Sequence, residues 1–185
     1  LSVVWQTLVL RKSLRVSHTV IHAITVNERL QREVEEHMRT REAIRRLAMH
    51  DYLTDLANRR QFEETAERAL RVSERDTSRL GLLAIDLDDF KPVNDRYGHA
   101  MGDQLLIAVA GRLRQTLRAS DFAARMGGDE FAAIIHNVSA GEDVLEVVGK
   151  VREALCQPYL LESKEIHVGA SIGWAVYPQD GDTLE

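Results

Sequence analysis

From Val20 to Ala48 the chain carries neither proline nor glycine, and an imperfect heptad runs through Val20, Ala23, Asn27, Leu30, Val34, His37, Arg41, Ile44 and Ala48. This pattern predicts one long helix over residues 20–49, with the spacing that two helices need to wind around each other. Asn27 stands where a polar residue sets the register of such a seam. Polar or charged residues at three seam positions also fit a single solvated helix, so both readings stand. Glu28 and Arg32, Glu35 and Arg39, and Glu42 and Arg46 are i,i+4 pairs in the favourable orientation, worth about 0.2–0.5 kcal/mol apiece.

After His50 the pattern changes to short apolar runs alternating with amphipathic stretches, which predicts a mixed α/β domain over residues 50–185. Phe62, Ala66, Ala69 and Leu70 recur at helical spacing, and Leu80 to Asp86 reads as a buried strand ending in acids. Leu105, Leu106, Val109, Ala110, Leu113 and Leu117 mark one face of a second helix. Phe122 to Met126 and Phe131 to His136 are strand-like runs joined by Gly127, Gly128, Asp129 and Glu130, a hairpin with glycines at its turn. Val144, Leu145, Val148, Val151 and Leu155 mark a third helix, and Ile166 to Tyr177 holds a final strand. The expected order is therefore helix, strand, helix, hairpin, helix, strand.

Residues 1–19 are of another kind. Leu1 to Leu10 is apolar but too short to cross a bilayer, and Arg11, Lys12 and Arg15 follow it. The segment reads either as the inner end of a membrane-spanning helix with its positive flank in the cytoplasm, or as a packed helix or strand. A start at Leu1 and a stop at Glu185 just past a strand-like run read as a fragment at both ends.

With 44% hydrophobic and 29% charged residues the chain is not disordered, and a net charge of −5 argues against a nucleic-acid binder. A nucleotide carried by a metal stays compatible. Cys156 is the only cysteine, so no internal disulfide forms, and its apolar-periodic surroundings predict a buried side chain in a reducing cytosol. None of the seven histidines has a zinc-ligand spacing with cysteine support.

Two acidic clusters carry the chemistry. At the hairpin, Gly127 and Gly128 let backbone approach a ligand closely, and Asp129 with Glu130 place negative charge that a divalent cation can offset. A polar surface turn is the plainer reading of these four residues. The second cluster closes the first strand with Asp86, Asp88 and Asp89, followed by Lys91, Asn94 and Asp103. If the two strands are neighbours, Asp86 and Asp129 can hold Mg²⁺ between them, Lys91 can meet a phosphate, and a carboxamide or carboxylate can read a base edge. Solvated strand ends are the alternative.

The run Met126-Gly127-Gly128-Asp129-Glu130-Phe131 resembles the signature hairpin of the GGDEF diguanylate cyclase family. The resemblance extends through DYLTDLANRRQF from Asp51 to Phe62, through DLDDFKPVNDRYGHAMGD, and through ASIGWAVYP from Ala170 to Pro178. It implies a nucleotidyl-cyclase or palm-like α+β fold, an antiparallel sheet with flanking helices. It also implies Mg²⁺ or Mn²⁺ held by Asp86, Asp129 and the Leu87 carbonyl, with Glu130 as a further metal contact or an aid to deprotonation. By the same resemblance Asn94 and Asp103 recognise guanine, Lys91 and the amides around Asp89 and Phe90 hold phosphates, and Gly127 and Gly128 border the substrate.

The implied reaction condenses two GTP into cyclic di-GMP with loss of pyrophosphate. Each domain carries one GTP, so a homodimer is implied, with the preceding helix setting its geometry. Arg118 and Asp121 lie at the spacing of the family's RxxD product-inhibition site. Family members continue into a helix and a last strand beyond the final motif, and this sequence stops short of both. A GTP- or cyclic di-GMP-binding regulatory module without turnover is the alternative. The expected setting is the cytoplasm, with the parent protein attached to the inner membrane if residues 1–19 continue a membrane span.

Overall fold

The computed structural model describes Trp5, residues 29–42, Ile44, residues 48–138, residues 141–181 and Thr183. It divides into two compact units, Leu1–Ala48 and Met49–Glu185.

In the first unit residues 29–42 form a helix, α1, as the absence of proline and glycine allows. Its apolar side chains Leu30, Val34 and Met38 are exposed, a stripe at i, i+4, i+8 that the single chain leaves uncovered. The seam positions Val20, Ala23 and Asn27, and all of residues 1–19 except Trp5, lie outside the described residues. So do one or both members of the Glu28–Arg32 and Glu42–Arg46 pairs. The expected Glu35–Arg39 pair is not among the ion pairs of the described residues. The i,i+4 pairs that close are Arg60–Glu64, Arg71–Glu67 and Lys150–Glu146. On a solvated helix the Coulomb gain barely exceeds the entropy of fixing two long side chains.

The second unit is built on a five-stranded sheet. Its elements are β1 (Ala57–Asn58), α2 (Arg59–Asp76), β2 (Arg79–Asp88), α3 (Phe90–Tyr97), α4 (His99–Thr116), β3 (Phe122–Gly127), β4 (Glu130–Val138), α5 (Gly141–Cys156), β5 (Tyr159–Leu161), β6 (Lys164–Ile166) and β7 (Gly169–Tyr177). The strand order is β1-β3-β4-β2-β7, with β1 parallel to β3 and every other pair antiparallel. The expected α+β fold with an antiparallel sheet and flanking helices is the observed one.

Alternation along the strands decides which face is buried. On β2, Leu83, Ile85 and Leu87 join Leu105, Val109 and Leu113 of α4 and Val144, Val151 and Leu155 of α5 in the main core. On the opposite face α2 covers β3 and β4 through Ala66, Ala69 and Ile134, flanked by Phe62 and Leu70. Ala84, Asp86, Ser171 and Gly173 lie beyond that cover and are exposed. This uncovered half of the sheet ends at the acidic cluster.

Three expectations are corrected. A separate helix, α3, precedes α4; its one buried residue is Val93 and it contains Pro92, too little apolar material to show a period. The stretch from Ile166 to Tyr177 contains the last residue of β6 and all of β7, and the small β5–β6 hairpin before β7 had no clear pattern in its alternating polar residues. Cys156 is exposed rather than buried, because it ends α5 on the side away from Leu155.

Candidate active site

The β3–β4 turn brings the two acidic clusters to one end of the sheet. In register, Asp86 of β2 lies opposite Glu130 of β4 on one side and Ser171 of β7 on the other. Asp129 occupies the turn between β3 and β4. Gly127 has φ +142° and Gly128 φ +54°, conformations that side chains bearing a Cβ rarely adopt. A register shift between Arg125 and Gly127 adds a bulge just before them, which re-aims the residues that follow.

The electrostatics follow from this crowding. Asp86 is an exposed residue, yet the burial its carboxyl does have, and then the charges of Asp129, Glu130 and Asp88, push its pKa above the usual carboxylate range. Ser171 Oγ donates to Asp88 Oδ1 at 2.7 Å, and Gly169 leaves room for that carboxylate, since a Cβ there would lie 2.6 Å from Asp88 Oδ2. Arg59, the first residue of α2, reaches the turn: its Nη2 is 3.7 Å from Glu130 Oε2 and its Nε donates to the Met126 carbonyl at 3.4 Å. Asn58, whose side chain accepts from Gln61 N, fixes the helix start that aims Arg59. A groove of about 1890 Å³ runs from this cluster along the uncovered sheet, bordered by Arg59, Asp86, Glu130 and Ser171.

The remaining expected site residues come from the β2–α3–α4 connection. Asp89 adopts φ +60° and its side chain does not cap α3, whose first turn holds no acid. The leading amides of α3, at Phe90 and Lys91, are thus free of a capping carboxylate, the arrangement that suits phosphate oxygens. Lys91 is exposed beside them. Asn94 is brought against α4 at Gly102, where any Cβ would overlap Asn94 Oδ1 and lie 3.2 Å from Phe90 Cζ. Asp103 follows Gly102 in α4 and is exposed, while Asn94 is half-buried on α3. The Leu87 side chain is buried in the main core, which leaves its main chain as the part at the strand's end.

Arg118 and Asp121 sit elsewhere. They flank a tight turn in which Asp121 N donates to Arg118 O at 2.9 Å and Arg118 N to Asp121 Oδ2 at 3.0 Å. Asp121 Oδ1 also accepts from His136 N at 3.3 Å, so the aspartate shapes the turn while the arginine side chain projects into solvent. A depression of about 240 Å³ beside them is lined by His50, Arg114, Leu117 and Phe122. The whole of β3 separates this turn from Gly127, roughly 20 Å at strand rise.

Sequence reasoning passed over three residues. Gly102 was visible as a glycine inside a helical run, Arg59 as a cation at a helix start, and Arg125 as the only charge in an otherwise apolar strand.

As donors, the oxygens of Asp86, Asp129 and the Leu87 main chain suit a hard divalent cation that keeps water and phosphate ligands. Among the described residues no three His, Cys, Asp or Glu side chains converge as a preformed metal cage. Nor is any described helix long and apolar enough to cross a membrane.

The family described as Diguanylate cyclase, GGDEF domain matches residues 48–185. The bifunctional diguanylate cyclase/cyclic di-GMP phosphodiesterase MucR of Pseudomonas aeruginosa is 45% identical over 137 residues, covering 74% of this chain and 20% of that protein. The solved GGDEF domain of TpbB from Pseudomonas aeruginosa is 41% identical with a TM-score of 0.70, over 72% of this chain and 78% of that one. The coiled coil and GGDEF domain of DgcB from Caulobacter crescentus, solved in complex with c-di-GMP, gives 31% identity and a TM-score of 0.73 over 85% and 86% of the two chains. The chain spans between 19% and 32% of the length of three of the curated relatives it matches. With the family pattern matched over everything after Leu47, and with the sheet, the glycine turn and the acidic strand end in place, the chain belongs to the diguanylate cyclase, GGDEF domain family.

Proposed function

We propose that the protein is a diguanylate cyclase that condenses two GTP into cyclic di-GMP and releases pyrophosphate. The observation that carries this reading is the register of Asp86 opposite Glu130 beside Asp129, which gathers carboxylates at one strand end; burial first, and then these neighbouring charges, raise the proton affinity of Asp86. A packing role does not explain charges that repel one another at an open strand end. They suit Mg²⁺ or Mn²⁺, held by Asp86, Asp129 and the Leu87 carbonyl, which supplies charge neutralisation at the triphosphate.

The chain's own residues have the remaining tasks. Asn94 and Asp103 select guanine, the carboxylate of Asp103 accepting from the N1 and N2 donors that adenine lacks in that arrangement. Lys91 and the amides of Phe90 and Lys91 hold phosphate oxygens, next to Asp89. Gly127 and Gly128 keep side chains away from the reacting nucleotide. Glu130 contacts the metal or draws the proton from the attacking 3′-hydroxyl. Because each domain offers one such site, two copies must face each other, and a parallel pairing of α1 through Leu30, Val34 and Met38 is the proposed means. Arg118, whose planar fork suits both guanine and phosphate, is the proposed product-inhibition residue, with Asp121 shaping the turn.

Chromatography of the products of GTP incubated with the intact protein and Mg²⁺ tests the reading. Cyclic di-GMP and pyrophosphate are expected, with none from ATP. Tight GTP binding without any product contradicts the cyclase reading and leaves a binding module.

A further inference from the structure

We infer that Arg125 and Asp51 are positioning residues that hold the Gly128 carbonyl, and with it Asp129 and Glu130, in the conformation that turnover requires. The inference rests on the cyclase reading above and names residues outside the proposed metal and nucleotide contacts.

The glycine turn has no packing to hold it. A Cβ at Gly127 or Gly128 would meet nothing within 4 Å, so these glycines serve backbone conformation rather than close approach of a neighbour. Glycine is also the residue with the most conformational freedom to lose. Something other than contact must therefore fix the turn.

Arg125 supplies it. Its Nε and Nη2 both donate to the Gly128 carbonyl, at 3.0 and 2.7 Å. Its Nη1 donates to Asp51 Oδ1 at 3.0 Å and Oδ2 at 3.2 Å. The two side chains are only 10% and 16% exposed, and a guanidinium so far removed from water needs a carboxylate partner. Asp51 is itself fixed: Thr54 N and Thr54 Oγ1 donate to Oδ1 at 2.9 and 2.6 Å, and Asp51 N donates to the Leu56 carbonyl at 2.8 Å. Thr54 is one of two buried polar residues of the described chain.

The same short segment is stitched to the sheet. His50 bridges Ala57, and Ala57 pairs with Ala124 of β3, the strand that ends in the turn. The segment that opens the catalytic domain thus grips the catalytic turn twice, once through the ladder and once through Asp51–Arg125. Arg59 adds a looser, solvent-exposed tether at Glu130, which cannot replace a buried fork.

Two variants of the intact protein separate this role from a structural one. Arg125→Lys keeps a positive charge near Asp51 but cannot fork to Gly128, and Asp51→Asn keeps an acceptor for Thr54 but loses the charge. Each is measured for Mg²⁺-dependent kcat and KM with GTP, for discrimination against ATP, and for hydrogen exchange at the amides of Gly128 to Glu130. Exchange at the turn is expected to quicken at least tenfold and kcat to fall 10- to 100-fold, while KM and the preference for GTP stay within threefold, since Asn94 and Asp103 lie on other elements. A kcat within twofold of the unaltered protein in whichever variant keeps its fold, or unchanged exchange at the turn, overturns the inference. Absence of turnover in the unaltered protein would instead remove the cyclase reading, and the exchange measurement would still report whether Arg125 holds the turn.

Discussion

Two arginines with little freedom hold two corners of this domain, and they differ in what they grip. Arg112 of α4 reaches the end of α5, where Nη1 donates to the Ala154 and Gln157 carbonyls and Nη2 to that of Pro158. Its guanidinium stacks 3.4 Å from the ring centroid of Tyr159. Ala154 belongs to the last turn of α5, whose carbonyls have no partner within the helix, Gln157 and Pro158 follow that end, and the cation also complements the negative end of the α5 dipole. Tyr159 is buried, and that burial, ahead of the opposing effect of Arg112, pushes its hydroxyl pKa above the ordinary value. Arg125 grips one carbonyl and one carboxylate, and both belong to segments that touch the acidic turn. An arginine satisfied by carbonyls alone stabilises a corner. One that spans a carbonyl and a distant carboxylate also transmits position between them.

The sharpest break of the comparison is at the turn itself. Asp129→Ala and Glu130→Ala should each lower cyclic di-GMP formation by at least about 10²–10³-fold, with the circular-dichroism spectrum and thermal midpoint unchanged. Loss of the spectrum along with activity would mean that the turn carries the fold. The converse is expected at the other corner. Arg112→Ala leaves several carbonyls and the Tyr159 ring without their partner, which should cost about 2–4 kcal/mol in urea unfolding, while kcat at a temperature where the domain stays folded remains within about twofold. Equal damage to activity and stability from Arg112→Ala would erase the distinction between the two arginines.

A smaller effect tests whether the α3–α4 packing sets the proposed base-reading residues, Asn94 and Asp103. Gly102→Ala places a methyl in overlap with Asn94 Oδ1, so the Asn94 side chain must leave its present position. The ratio of kcat/KM for GTP over ATP should fall about tenfold, roughly 1.4 kcal/mol of discrimination, with much less effect on the rate at saturating GTP. An unchanged ratio would detach Asn94 from guanine recognition.

These residues also mark what could be read beforehand. Helices α2, α4 and α5, strand β2 and the glycine hairpin were legible because burial of one face imposes a period, and Leu105, Val109 and Leu113 or Leu83, Ile85 and Leu87 display it. That Asp86 and Asp129 meet at one end of the sheet was legible only on the condition that their strands are neighbours, and that condition is met by the long-range pairing of β2 with β4 rather than by a hairpin. Helix α3 and the β5–β6 hairpin bury too few side chains to leave a period. The Arg125–Asp51 contact was illegible for another reason: it links residues 74 positions apart, and neither side chain carries a local signal of its partner. Gly102 could be seen but not interpreted, since a glycine inside a helix announces close approach without saying of what. Cys156 was misread because one apolar-periodic helix carries both faces, and Leu155 took the buried one.

The smallest expected effect is the pH dependence that Asp51 contributes. Burial alone would raise its pKa, but the side-chain and backbone hydrogen bonds from Thr54, then the hydrogen bond and charge of Arg125, outweigh burial and hold the carboxyl below the usual range. A carboxylate with a lowered folded pKa stabilises the fold above its unfolded value of about 3.9 and loses that contribution as pH falls through the folded value. The unaltered protein should therefore lose stability more steeply below about pH 3.9 than Asp51→Asn, whose amide does not titrate. Between pH 5 and 7 the gap between the two should be constant, because Asp51 is ionised in both the folded and the unfolded chain there. Arg112→Ala should shift the whole curve down without changing its slope in acid, since no carboxylate faces Arg112 among the bonds described above. Urea unfolding at several pH values from 2.5 to 7 measures all three curves on one scale. A gap that widens as pH falls, or an acid slope altered by Arg112→Ala and not by Asp51→Asn, would show that the charge holding the glycine turn is not the one on Asp51.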